Sequence, residues 1–163
     1  MVLELHHVNI HPLISALSLT VGDNQMACIV GHQRSGKTTL LRAILGFVPV
    51  DGGHISIDGE LLTPESAPYF RKMTAYVPQH LSLPEQVLIP GLERWEQLSA
   101  DERYLLLLTN ALQAGKPLVI VDEPPQPLAA DTAQMVDQLL TEASHRTTIL
   151  AVNPRINQNQ IYL

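Results

Sequence analysis

The chain has 163 residues, 45% of them hydrophobic and 16% charged, with a formal net charge of −6. That length is one domain's, residues 1–163, enough to bury about two-thirds of the surface the unfolded chain exposes. The acidic balance argues against nucleic acid as the main ligand, because a phosphate-tracking surface carries a basic excess.

No apolar run approaches the ~20 residues that cross a bilayer. The opening "MVLELHHVNIHPL" has no basic stretch followed by an apolar one, so a cytoplasmic chain is the expectation. Two β-type runs follow one another, "VLELHHVNI" and "ISALSLTV", then a turn at "GDNQ" and the fully apolar strand "MACIV" ending at Gly31. Cys28 lies inside that last run without a disulfide partner and reads as a small core residue. His6 and His7 are adjacent, would point opposite ways on a strand, and have no metal-type spacing with Cys or carboxylate.

A helix starts within "SGKTTLLRAILGF", where Leu40, Leu41, Ile44 and Leu45 share a face and Gly46 with Pro49 end it. "GGHISIDGELL" reads as a hairpin turning at "DG", "PYFRKM" as one helical turn, and "TAYVP" as a strand. Residues 80–94 hold two prolines and a glycine without clean periodicity, which marks a compact connector. Ser99 and Glu102 then form an S-x-x-E helix start with two acids, Asp101 and Glu102, in the first turn. "KPLVIVDEP" is a strand apolar on both faces, as in a parallel sheet. "DTAQMVDQLLTEAS" has one apolar helix face, and "TTILAV" is another buried strand. The alternation of strand and helix gives an α/β fold.

Residues 31–39, "GHQRSGKTT", fit G-x-x-x-x-G-K-[ST] between an apolar strand and an amphipathic helix, the context that phosphate-binding loop requires. Gly31 and Gly36 let the backbone of His32, Gln33, Arg34 and Ser35 wrap so that successive N–H groups converge. Lys37 brings a cation to the β/γ-phosphates, and Thr38 offers a hydroxyl to Mg²⁺. The loop opens a helix, whose N-terminus through Thr39 adds partial positive charge. In "LVIVDEP", Asp122 ends a buried strand and suits the Mg²⁺ shell, while Glu123 beside it is a candidate general base.

"GHQRSGKTTLLRAILGFVPVDGGHISIDGELL", "RKMTAYVPQ" and "LSADERYLLLLTNALQAGKPLVIVDEP" together resemble the nucleotide-binding domain of ABC-type ATPases. The resemblance implies a P-loop NTPase with a RecA-like, mainly parallel core sheet and an N-terminal antiparallel β subdomain. It further implies ATP and Mg²⁺ as ligands, Gln79 as sensor of the γ-phosphate and Mg²⁺, and head-to-tail dimers, homo- or heteromeric, that sandwich two ATPs. A membrane permease partner follows from it, and with that a peripheral place at the inner face of the membrane.

Departures from the family pattern are equally specific. Leu98 and Ser99 of its signature remain, with Ser99 expected to meet ATP of a second protomer, but Ala100 and Asp101 replace its glycines. A carboxylate ~4 Å from phosphate costs about 4 kcal/mol at an effective dielectric near 20, so Asp101 must turn away or the contact must loosen. Asn153 stands at the switch histidine, keeping a hydrogen bond but no titratable charge. Ala129 replaces the D-loop aspartate, Arg34 a loop glycine, and His11 is the nearest candidate for adenine stacking. Only 18 residues lie between Gln79 and Leu98, so the family's helical subdomain is strongly reduced. Two functions compete: an ATP hydrolase driving a partner, with Glu123, Lys37 and Gln79 carrying the chemistry, or a non-hydrolysing ATP-binding module paired with an active ATPase. A P-loop kinase or GTPase finds no base-specifying motif here.

Overall fold

The computed structural model describes residues 1–80, 92–124 and 127–163. Leu3–Ile10 (β1) pairs antiparallel with Ile14–Val21 (β2) and with Gly52–Ile57 (β4), which turns at Asp58–Gly59 into Glu60–Leu61 (β5). The resulting sheet has the order β2-β1-β4-β5. Leu3 and Leu5 face inward and are fully buried, as period-2 alternation demands. That alternation breaks at the paired histidines. A register shift between Leu5 and Val8 inserts a bulge, with His7 at φ 46°, so both His6 and His7 are exposed rather than opposed. His6 stacks on His54 across the strands at 4.8 Å.

Met26–Val30 (β3), Thr74–Val77 (β6), Leu118–Val121 (β7), Thr148–Val152 (β8) and Gln160–Tyr162 (β9) form a parallel sheet of order β6-β7-β8-β3-β9. Each central strand serves two cores. Ala27, Ile29, Leu118, Ile120, Leu150 and Val152 face one core, with Lys37–Ile44 (α1), Ala67–Lys72 (α2) and the antiparallel sheet. Met26, Cys28, Val119, Val121, Ile149 and Ala151 face the other, with Ala100–Gln113 (α3) and Ala130–Ala143 (α4). Continuous apolar runs were needed because neither face meets water. Burial also pushes the Cys28 thiol up to about 11, with the Asp137 charge adding to it, so this thiol is inert at neutral pH.

On α3 the buried residues Tyr104, Leu107, Leu108 and Leu112 share one face; burying a Leu such as Leu108 stabilises by roughly 1.5–3 kcal/mol. α2 is longer than the single turn expected of "PYFRKM". The connector expected over 80–94 lies mostly outside the described residues; from Leu92 to Gln97 the chain is 3₁₀-helical. Among the described residues no helix is long and apolar enough to cross a membrane.

Candidate functional site: a phosphate loop at the carboxyl edge of the parallel sheet

Strand order dictates which loops meet. Gln79 follows β6, Asp122 and Glu123 follow β7, Asn153 follows β8, and the glycine-rich loop follows β3. All four therefore leave the carboxyl edge side by side, where open α/β sheets place their ligands. A cavity of about 690 Å³ opens there, lined by Gln33, Arg34, Gly36, Lys37, Thr38, Thr39, Gln79, Glu123 and Asn153 among others.

The loop is shaped by its glycines and by one forced residue. Gly36 at φ 100° sits where a side chain is strained, and a Cβ on Gly31 would lie 2.5 Å from Ser35 Oγ and 2.7 Å from the Leu163 carbonyl oxygen. Arg34 takes φ 65° despite its side chain, which is exposed beside the cavity. Lys37 is 9% exposed; its ammonium donates to the Gly31 and His32 carbonyls, both at 2.8 Å, and lies 3.6 Å from Glu123 Oε2. The cation is thus braced at the mouth of the loop. α1 has no side-chain cap and no acid in its first turn, which leaves its N-terminal N–H groups available to an anion. Among the described residues, the buried Ser35 Oγ has no hydrogen-bond partner, an orphan within the loop that fits a phosphate oxygen.

Asp122 is 1% exposed. Its Oδ1 accepts from the Glu123 N–H at 2.8 Å and, at 3.3 Å, from Thr38 Oγ1, while Oδ2 lies 3.4 Å from the Tyr76 hydroxyl. Burial holds this carboxyl above the usual carboxylate range, against the lowering effect of those three donors. Burial and the Asp122 charge in turn push the Tyr76 hydroxyl up to about 12. A buried carboxylate beside a hydroxyl is the oxygen-only donor set that Mg²⁺ takes with few protein ligands and several waters. Among the described residues no group of three or more His, Cys, Asp or Glu side chains is arranged to hold a metal. Thr38 and Asp122 fit the ion, and Gln79 lines the same cavity.

His11 does not line this cavity, and Ser99, expected at the ATP of a second protomer, does not line it either. His11 is tied to Asp51, through its backbone N–H at 2.7 Å and its ring at 3.4 Å, and is absent from the cavity wall; Leu13 lines it instead, against Gly36. Ser99 caps α3: its hydroxyl accepts from the Glu102 N–H and the Glu102 carboxylate accepts from the Ser99 N–H at 2.7 Å. Asp101 is engaged within the chain. Its Oδ2 accepts from the Ala129 N–H at 2.9 Å, at the start of α4, where Ala129 has no capping side chain of its own. Two departures from the family pattern therefore meet in one hydrogen bond.

Sequence comparison gives the same reading independently. A family described as ABC transporter matches residues 14–93. The Fe(3+) ions import ATP-binding protein FbpC of Pseudomonas fluorescens is 31% identical over 192 positions, covering 93% of this chain and 54% of that protein. The chain belongs to the ABC ATPase nucleotide-binding domain family. That alignment is longer than the 163 residues available, so FbpC carries segments this ABC domain lacks. A second Fe(3+) ions import ATP-binding protein, from Pectobacterium atrosepticum, is 35% identical over 130 positions, covering 71% of this chain and 38% of that protein. The ABC domain thus spans about half or less of these curated relatives. A solved structure, a putative ABC transporter ATP-binding protein from Pyrococcus furiosus, superposes with a TM-score of 0.80 at 15% identity, covering all of this chain and 98% of that one, a likeness of fold.

Tyr76, Tyr104, Asp137 and Arg155 were not among the site residues read from sequence. Tyr104, on α3, donates its hydroxyl to the Asp122 carbonyl at 3.1 Å and lines the cavity. Its spacing with Leu107, Leu108 and Leu112 is legible as a core face, and nothing in that pattern marks its hydroxyl.

Proposed function

We propose that this chain, as a single nucleotide-binding domain, binds MgATP at the residue 31–39 loop and hydrolyses it to ADP and phosphate to drive a partner. The observation that carries this reading is the convergence of Lys37, Thr38, Gln79 and Glu123 on one cavity, from the ends of β3, β6 and β7, with Asp122 buried behind it and accepting from Thr38. Lys37 and the bare N-terminus of α1 hold the polyphosphate, and Thr38 with Asp122 hold Mg²⁺. The ion, when bound, supplies charge that offsets the developing negative charge on the phosphoryl oxygens. Glu123, beside the cation of Lys37 yet 43% exposed, orients and deprotonates the attacking water, and Gln79 reads the γ-phosphate side.

The family and the relatives' names, ATP-binding proteins of ion importers, support a second ABC-type domain and a membrane permease as partners, with a peripheral place at the membrane through them. The test is steady-state phosphate release by the purified chain against Glu123→Gln, alone and with a candidate permease. The parent is expected to turn over and the variant to fall by at least ~100-fold, the usual weight of a general base. Equal rates in both would overturn hydrolysis by this site.

A further inference from the structure

The solvent face of the antiparallel sheet carries a pair of imidazoles that the nucleotide cavity does not use. His6 on β1 and His54 on β4 are register partners across antiparallel strands, and their rings stack with centroids 4.8 Å apart and planes 26° from parallel. Backbone geometry puts them there. Beyond His6 the register of β1 on β4 shifts, and the chain opens into a bulge at His7, φ 46°. Gly53 meets this bulge at φ 73°, where a Cβ would fall 2.3 Å from the carbonyl oxygens of both His6 and His7. Glycine is what admits so close an approach, and the approach seats His54 directly against His6. Both histidines are exposed, so each ring can turn about its side-chain bonds without unpacking the core. Glu4, two residues before His6 and on the same face of β1, adds a negative charge nearby, with Oε2 3.4 Å from Ser56 Oγ.

We infer that His6 and His54 form a two-point, solvent-open site for a divalent ion that prefers nitrogen ligands, of the Cu²⁺, Ni²⁺ and Zn²⁺ class. Imidazole suits all three ions, with Cu²⁺ held tightest, whereas Mg²⁺ takes oxygen. Metal–nitrogen bonds of ~2.0–2.1 Å put two ligating nitrogens about 3 Å apart. Residues opposite one another on antiparallel strands have Cβ atoms about 4.5–5.5 Å apart, so the two rings reach that spacing by pivoting out of their stack. Among the described residues no third His, Cys, Asp or Glu joins the pair, and water fills the remaining positions on the ion. The ion clips β1 to β4, strands separated along the chain by β2, β3 and α1, so it binds the folded sheet in preference to the unfolded chain. Neither histidine belongs to the wall of the nucleotide cavity, which opens at the edge of the other sheet.

The test is calorimetric titration of the nucleotide-free full chain with Zn²⁺ in excess Mg²⁺, which occupies the oxygen sites. The parent is compared with His6→Ala, His54→Ala, the double variant, His7→Ala and His145→Ala, the last an exposed histidine just beyond α4. One Zn²⁺ per chain is expected in the parent. His6→Ala and His54→Ala should each weaken it by ~10-fold or more, and the double variant should fall little further, because either change breaks the same chelate. His7→Ala and His145→Ala should leave it unchanged. Without metal, all the variants should melt with the parent; saturating Zn²⁺ should raise the melting temperature of the parent and of the two controls alone. With Cu²⁺, electron paramagnetic resonance should show two imidazole nitrogens on the ion in the parent and at most one in either single variant. Binding untouched by His6→Ala and His54→Ala overturns the proposal. So does loss in His7→Ala with His54→Ala silent, which makes the sequence-adjacent pair the ligands. A parent that binds no more tightly than the double variant overturns it as well, the result that marks an adventitious ion only.

Discussion

Replacing Asp101 by alanine removes a bond between two helices that start side by side. The carboxylate accepts from the Ala129 N–H at 2.9 Å, doing for α4 from outside what Glu102 does for α3 from within, where it accepts from the Ser99 N–H at 2.7 Å. Ala129 offers no side-chain oxygen in return, and among the described residues no N-cap side chain substitutes for the bond at the N-terminus of α4. One such cap is worth about 1 kcal/mol, with a range of roughly 0.5–2. Asp101 also lies in the first turn of α3, and losing its charge there costs a further ~0.3–1 kcal/mol. For a domain of this size the sum, about 0.8–3 kcal/mol, lowers the melting temperature by roughly 2–12 °C. Thermal unfolding followed by circular dichroism reads this, and two controls separate the contributions. Asp101→Asn keeps an acceptor for Ala129 while deleting the charge on α3. Ala129→Asp, added to Asp101→Ala, gives α4 a cap of its own and should recover about half the loss. A melting temperature for Asp101→Ala within 1 °C of the parent would refute the reading of this acid as the cap of α4.

Three further outcomes follow from the same geometry. Asp122 has a folded pKa raised by burial, so its charge opposes folding at neutral pH; Asp122→Asn should raise the melting temperature while weakening Mg²⁺-dependent nucleotide binding, read in paired melts and titrations with and without the ion. Burial raises Asp137, but the hydrogen bonds from Arg155 and Asn153 outweigh it and hold its carboxyl below the ordinary range. Its contribution to stability is therefore complete above the ordinary aspartate pKa and fades as the pH falls through the lower folded value; urea unfolding of Asp137→Asn should converge with the parent in acid and fall behind at neutral pH. Tyr104→Phe leaves the buried Asp122 carbonyl without its 3.1 Å donor and should cost about 1 kcal/mol in the same urea assay, with the β7 end loosened beside the cavity.

Much of this was written in the residues. "GHQRSGKTT" after an apolar strand specifies its loop because only glycine tolerates the approach of Ser35 and the Leu163 backbone at Gly31, and the left-handed backbone at Gly36. The two-sided strands were legible as unbroken apolar runs, and the α3 start as S-x-x-E. What escaped was whatever depended on a partner far along the chain. The outward placement of both His6 and His7 comes from a bulge set by pairing with β2, which no local alternation foretells. Asp101 could be argued away from phosphate by charge, but its destination, 28 residues on at Ala129, needed the packing of α3 against α4. Asn153 was visible as a position, whereas Asp137 and Arg155 belong to it only once α4 lies against the end of β8. His11 was placed by analogy with an aromatic; its bond to Asp51 across 40 residues takes it off the cavity wall.

The central claim, that the loop at residues 31–39 holds the phosphates of MgATP, is tested most directly by calorimetric titration of the chain with ATP, with Mg²⁺ and with chelator, against Lys37→Ala and Asp122→Asn. Saturable binding at one site per chain, strengthened by Mg²⁺, abolished by Lys37→Ala and made Mg²⁺-independent by Asp122→Asn is the result expected. Binding that survives Lys37→Ala undiminished, or a parent chain that takes up no ATP in either condition, would contradict it.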